Sequence, residues 1–234
     1  MGLPLLLARP ETLLTYIRGW SRLTLWLLRV ICGVRWRMTG LENLPPSGPA
    51  LLAAQHQSAF DTVIWNAVLP RTVYVMKVEL LRIPIWSAMA KHVGSIFVDR
   101  AAGGAALRDL VRAAKAAAAA GRQIVIFPEG TRTEFGERRP WQPGVAAIVS
   151  ATGLPLIPVA TDSGRFWGRR AFRKRPGTIT VAILPPLSPD LPRAELLHRA
   201  QAAVAEAIPA PVDKAVERAA EPAPRAPEES RPSL

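Results

Sequence analysis

The chain predicts an α/β fold with a mixed, largely parallel sheet flanked by helices, and three observations carry that prediction. From about residue 40, short apolar runs alternate with longer amphipathic stretches, as successive strands and helices do. The alanine-rich segment from Ala105 to Ala120, closed by Gly121, has the propensity and stop signal of a crossover helix. Several apolar runs also end in polar or charged residues, at His56, Arg100 and Glu129, matching the strand ends where open α/β sheets hold ligands.

Taken in order, residues 1–38 form a separate helical segment. At about 100° per residue, Arg18, Arg22 and Arg29 fall in one stripe, while Leu13, Tyr16, Trp20, Leu23, Leu27, Val30 and Ile31 gather opposite. This is the pattern of a helix lying in a membrane interface, or of a helix pair broken near Gly19; a helix docked on the protein's own core is the alternative. Residues 39–208 form the catalytic domain. Strands are expected near 50–54, 73–76, 95–98, 123–127, 156–161 and 178–184, and helices near 59–69, 84–92, 103–120, 143–152 and 193–207. From Pro209 to Leu234 the sequence is rich in Pro, Ala and Glu with little apolar bulk, so a disordered tail is expected.

Charge narrows the partners. Thirty Lys and Arg against 18 Asp and Glu give a net +12, which favours an anionic partner, whether nucleic acid, anionic lipid or an acidic carrier. The single cysteine, Cys32, excludes an intramolecular disulfide, and with three histidines a multi-histidine metal centre is not expected. No signal peptide is recognisable, and the N-terminal segment lacks ~18 uncharged apolar residues in a row, so a spanning helix is disfavoured.

The segment Gln55-His56-Gln57-Ser58-Ala59-Phe60-Asp61 follows the apolar run ending at Ala54. Ser58 followed three residues later by Asp61 is a helix-capping signature, placing His56 before the helix and Asp61 in its first turn. Inside one helix the two would lie about 140° apart; the pre-helical position of His56 lets them meet. A carboxylate on one ring nitrogen fixes the tautomer and leaves the other as a general base. Ser58 has no Gly-x-Ser-x-Gly setting and is not read as a nucleophile. Gln57 is either a donor to a developing oxyanion or a solvated loop residue.

Two further blocks follow, Gly94-Ser95-Ile96-Phe97-Val98-Asp99-Arg100 and Phe127-Pro128-Glu129-Gly130-Thr131-Arg132, and then Leu154-Pro155-Leu156-Ile157-Pro158-Val159-Ala160. In this order and spacing the four blocks, spanning about residues 40 to 185, resemble the glycerolipid acyltransferase family, closest to its bacterial 1-acylglycerol-3-phosphate acyltransferases. Two departures stand out: Gln55 replaces the Asn or Lys of many members, and Trp141-Gln142-Pro143-Gly144 lacks a lysine common there.

The resemblance implies a glycerolipid-acyltransferase-like sheet and transfer of a fatty acyl chain from acyl-CoA or acyl-carrier protein to the hydroxyl of 1-acylglycerol-3-phosphate, giving phosphatidic acid. His56 and Asp61 are then the catalytic pair. Arg100, Glu129, Gly130, Thr131 and Arg132 are the expected substrate-binding residues, with the arginines on the acceptor phosphate and Glu129 either on the glycerol or holding Arg132. No metal or organic cofactor is implied. The expected partners are lysophosphatidic acid, the thioester donor and an anionic membrane, at the cytoplasmic face of the inner membrane. Another lyso-lipid acceptor, such as a lyso-ornithine lipid, is the nearest rival. A basic nucleic-acid-binding protein is the rival from another class, although no such binding motif appears. The loop from Arg165 to Arg175, where Phe166, Trp167 and Phe172 interleave with basic residues, suits a membrane headgroup contact or an acyl-carrier docking patch.

Overall fold

The structure, a computed structural model, describes residues 7–208, so the expected tail lies outside the described residues. Helix α1 (Pro10–Cys32) leads into strand β1 (Val34–Thr39), followed by β2 (Ala50–Ala54), α2 (Phe60–Val68), β3 (Thr72–Lys77), α3 (Trp86–His92) and β4 (Ile96–Val98). The chain continues through α4 (Gly103–Ala119), β5 (Gln123–Ile126), α5 (Gly144–Thr152), β6 (Leu156–Thr161), α6 (Ser163–Phe166), β7 (Gly177–Ile183) and α7 (Arg193–Ala207).

Seven strands form one sheet in the order β1-β7-β6-β2-β5-β3-β4. All neighbours run parallel except β6 and β7. The central strands β2, β5 and β6 are buried at every position and apolar except at Gln123 and Thr161, because both faces are covered. Leu51, Ala53, Ile124, Ile126 and Leu156 pack under α4, α5 and α7; Leu52, Ala54, Val125, Ile157 and Val159 pack under α1 and α2. Phe60, Ile64 and Trp65 of α2 are at most 1% exposed, and each such side chain contributes roughly 1.5–3 kcal/mol by leaving water. That anchorage holds the start of α2 against the end of β2.

Strand β1 corrects the expected domain boundary. The helical segment ends at Cys32, where Gly33 adopts a left-handed φ of 66°, and the sheet begins at Val34 within the range assigned to the separate segment. Val34, Trp36 and Met38 join the core under α1 and α2, while Arg35, Arg37 and Thr39 are exposed, as suits an edge strand.

Helix α1 runs unbroken through Gly19, which removes the broken helix pair. Its faces number three. Leu13, Leu14, Ser21, Leu25 and Leu28 are buried; Tyr16, Trp20, Leu23, Trp26, Leu27, Val30 and Ile31 are exposed; the arginine stripe lies between them. Arg22 Nε donates to Ala67 O of α2 at 3.4 Å. Near the other end, Glu11 pairs with Arg71 and Arg122, each at 3.7 Å. The helix is therefore both docked and amphipathic: Leu14 and Leu25, which lie toward the arginine stripe, are core residues. None of the described helices is long and apolar enough to cross a membrane.

Candidate active site

Parallel β2, β3, β4, β5 and β6 end at one edge of the sheet, and the segments after them carry most of the residues singled out above. His56 stands two residues beyond β2. Its Nδ1 lies 3.1 Å from Asp61 Oδ2, with the His side chain 13% exposed and Asp61 3% exposed. The same Oδ2 accepts from Gln57 N and Ser58 N, each at 2.7 Å. Three N–H groups thus converge on one carboxylate oxygen when the imidazole proton is on Nδ1, leaving Nε2 to take a proton.

The turn that places Asp61 differs by one residue from the expected cap. The helix begins at Phe60; Ser58 Oγ accepts from Phe60 N at 3.2 Å, and the Asp61 carboxylate reaches back to Ser58 N. The reciprocal logic of a capping box survives with the acidic partner also serving the histidine.

The imidazole is sandwiched from behind. Phe127 stacks on it with centroids 4.0 Å apart and planes at 18°, and Tyr74 stacks on Phe127 at 6.1 Å. Tyr74 OH donates to Thr62 O at 2.7 Å, and burial pushes its phenol far up.

The turn after β5 grips the backbone of His56 on both sides. Glu129 Oε2 accepts from His56 N at 2.9 Å, while Thr133 N donates to His56 O at 2.8 Å. Gly130, at φ 73°, closes this turn with its amide on Phe127 O. Glu129 is 7% exposed, and burial pushes its carboxyl up to about 8, against the hydrogen bond from His56 N. A cavity of about 360 Å³ opens beside it, walled by Gln55, Arg139, Trp141 and His198.

The side-chain hydrogen bond of Glu129 goes to the base's own amide rather than to Arg132, a link between two blocks that no spacing rule signals. Thr131 and Arg132 are partly buried on the same turn, and Arg132 Nη1 donates to Arg169 O at 3.4 Å. Arg100 opens a short 3₁₀ turn after β4, capped by Asp99, whose side chain accepts from Ala101 N at 2.9 Å; the Arg100 side chain lies outside the described residues. Gln57 is not a solvated loop residue: it is 2% exposed and its Oε1 accepts from Gly164 N at 3.0 Å, so it ties the base's loop to α6. Gln55, at the position of departure, likewise accepts from Thr161 N at 3.0 Å. Among the described residues no cluster of His, Cys, Asp and Glu suits a metal ion.

Residues 35–162 match the family model described as Acyltransferase. Over 196 residues the chain is 34% identical to the 1-acyl-sn-glycerol-3-phosphate acyltransferase of Pseudomonas aeruginosa, covering 82% of this chain and 76% of that one. Against the human 1-acyl-sn-glycerol-3-phosphate acyltransferase alpha it is 31% identical over 180 residues, 72% of this chain but 62% of the relative. The fold is similar to that of the 1-acyl-sn-glycerophosphate (LPA) acyltransferase from Thermotoga maritima, with a TM-score of 0.67, 23% identity, and coverage of 83% and 79% of the two chains.

Proposed function

The chain belongs to the Acyltransferase family, and from that premise we propose that it moves a fatty acyl chain from a thioester to the free hydroxyl of 1-acylglycerol-3-phosphate, forming phosphatidic acid. The observation that carries this reading is the His56–Asp61 pair at the end of β2. His56 Nε2 takes the acceptor's hydroxyl proton as the oxygen attacks the thioester carbonyl. The tetrahedral intermediate expels the donor's thiolate, and the imidazolium returns the proton to that sulfur. Asp61 holds the tautomer and stabilises the transient charge. No acyl-enzyme is required.

The acceptor's phosphate needs fixed cationic donors, and arginine's planar fork suits it. Arg132, with Thr131 beside it, and Arg100 are assigned to the acceptor. Glu129, with Gly130 shaping its turn, supports the base. Acyl-CoA or acyl-carrier protein supplies the acyl group. The exposed apolar face of α1 rests in an anionic membrane surface at the cytoplasmic side of the inner membrane, where lyso-lipid is drawn from the bilayer. Ile83 and Ile85, between β3 and α3, and Trp86, the first residue of α3, are further exposed apolar side chains that follow the end of β3.

Purified protein assayed with lysophosphatidic acid and each thioester donor tests the reading. A folded His56→Ala variant is expected to lose ~10²–10⁴-fold in rate. Retention of most of the rate, or a preference for a phosphate-free lyso-lipid, sinks it.

A further inference from the structure

The connection between β6 and β7 folds over a second cavity, of about 640 Å³, beside the catalytic edge. Arg165, Arg173 and Arg175 line it with Phe135 and Phe166, and Glu134 is the one carboxylate in its wall. Arg165 is held in place: its Nη1 lies 3.8 Å from Asp162 Oδ2, and its guanidinium sits 5.3 Å from the Phe135 ring centre and 5.9 Å from that of Phe166. Phe166 is wedged against Gly177, where an added Cβ would meet its ring at 2.2 Å. Neither Arg173 nor Arg175 has a carboxylate partner among the described residues.

Two links tie this cavity to the base. Gly164, in its wall, donates to Gln57, the neighbour of His56, and a Cβ at Gly164 would come within 3.0 Å of the Gln57 amide oxygen. Arg132 reaches the same connection through Arg169 O.

We propose that this cavity binds the phosphorylated nucleotide end of an acyl-CoA donor, an inference that rests on the thioester-to-alcohol reading above. Its volume falls within the roughly 300–1,000 Å³ of ligand-sized sites. Arginine forks suit phosphate, and aromatic walls beside them suit an adenine ring. Three arginines match the 3′-phosphate and 5′-diphosphate of that donor. A carrier protein would instead bring one phosphodiester and an acidic protein surface, which calls for a broad patch more than a concavity.

The test pairs the Arg173→Ala/Arg175→Ala double variant with wild type. By calorimetry, adenosine 3′,5′-bisphosphate should bind wild type, and binding should weaken about ten- to a hundredfold in the variant, the loss of one or two charge-assisted contacts. In turnover, KM for acyl-CoA should rise by a similar factor, while the rate with an acyl-pantetheine, which lacks the nucleotide, stays unchanged. The proposal is overturned if wild type does not bind the bisphosphate or if the variant binds it as well. It is equally overturned if the variant loses acyl-pantetheine turnover, carrier-protein donor use or binding to anionic vesicles in place of acyl-CoA affinity. Calorimetry needs no turnover, so it decides the cavity even if wild type acylates no lyso-lipid, the outcome that defeats the functional reading alone.

Discussion

Replacing Glu129 with Gln should change how stability depends on pH while keeping the bond to His56 N. In wild type the carboxyl is held up near 8 by burial, against an ordinary 4.5. Below about pH 4.5 it is protonated both folded and unfolded, so it contributes no pH dependence. Between 4.5 and about 8 the unfolded chain has released the proton and the folded chain keeps it, so folding loses stability as pH rises. Above about 8 both states are ionised and the cost is constant. One proton over one pH unit is worth about 1.4 kcal/mol, so the whole window is on the order of 4–5 kcal/mol. Glutamine is neutral, nearly the same shape, and presents a carbonyl oxygen to the same amide. Glu129→Gln should therefore gain on wild type by about 2–3 kcal/mol between pH 5.5 and 7.5, roughly 5–10 °C in Tm for a chain of this size. The assay is a pair of thermal or urea unfolding series across pH 5–9, read as the difference between the two proteins, which cancels the other titrating groups. Parallel curves would refute the reasoning, because they mean that the buried carboxyl ionises as readily as an exposed one.

Arg132→Ala and Arg100→Ala should each raise the apparent KM for the phosphate-bearing acceptor about ten- to a hundredfold, with little change for the donor; initial-rate kinetics varying each substrate in turn check this, and a loss on the donor side reverses the assignment. On α1, Trp20→Asp with Leu27→Asp should release the protein from anionic vesicles in a flotation assay without lowering Tm, whereas Leu25→Ala, on the buried face, should destabilise it by about 2–5 kcal/mol. Vesicle binding unchanged by the aspartates would move the membrane contact elsewhere. Deletion of residues 1–38 cannot separate these roles, since it removes most of β1 as well as four core leucines.

The central architecture was readable because its physical causes are local. The strand Gln123–Ile126 is buried at all four positions, and a contiguous run of that kind is visible in the sequence whatever distant elements cover it. The His56–Asp61 pairing was readable too, since one turn of chain brings both groups together. Strand β1 was hidden by Arg35 and Arg37: an edge strand needs only Val34, Trp36 and Met38 inward, and alternation over six residues is faint beside a basic amphipathic helix. The roles of Glu129 and Gln57 depend on bonds across 73 and 107 residues of sequence, which no pattern within either block announces. Leu14 and Leu25 blurred a two-sided helical pattern because α1 has one face for the core, one for arginines and one left outside.

The lone antiparallel pair, β6 with β7, has an architectural consequence. Because β7 reverses direction, the chain leaves β6 and re-enters the sheet at the same edge, so residues 162–176 are a lobe hung between adjacent strands. Such a lobe can lengthen or change composition at small entropic cost, about 0.6 kcal/mol for each doubling of its length. Nothing in β2 or α2 has to shift when it does. The proton-handling pair and the arginine-rich lobe therefore meet at few places: the Gln57–Gly164 and Arg132–Arg169 bonds, and the packing of Phe166 and Trp167 on the core shared with β2 and α2, which a redesigned lobe has to keep.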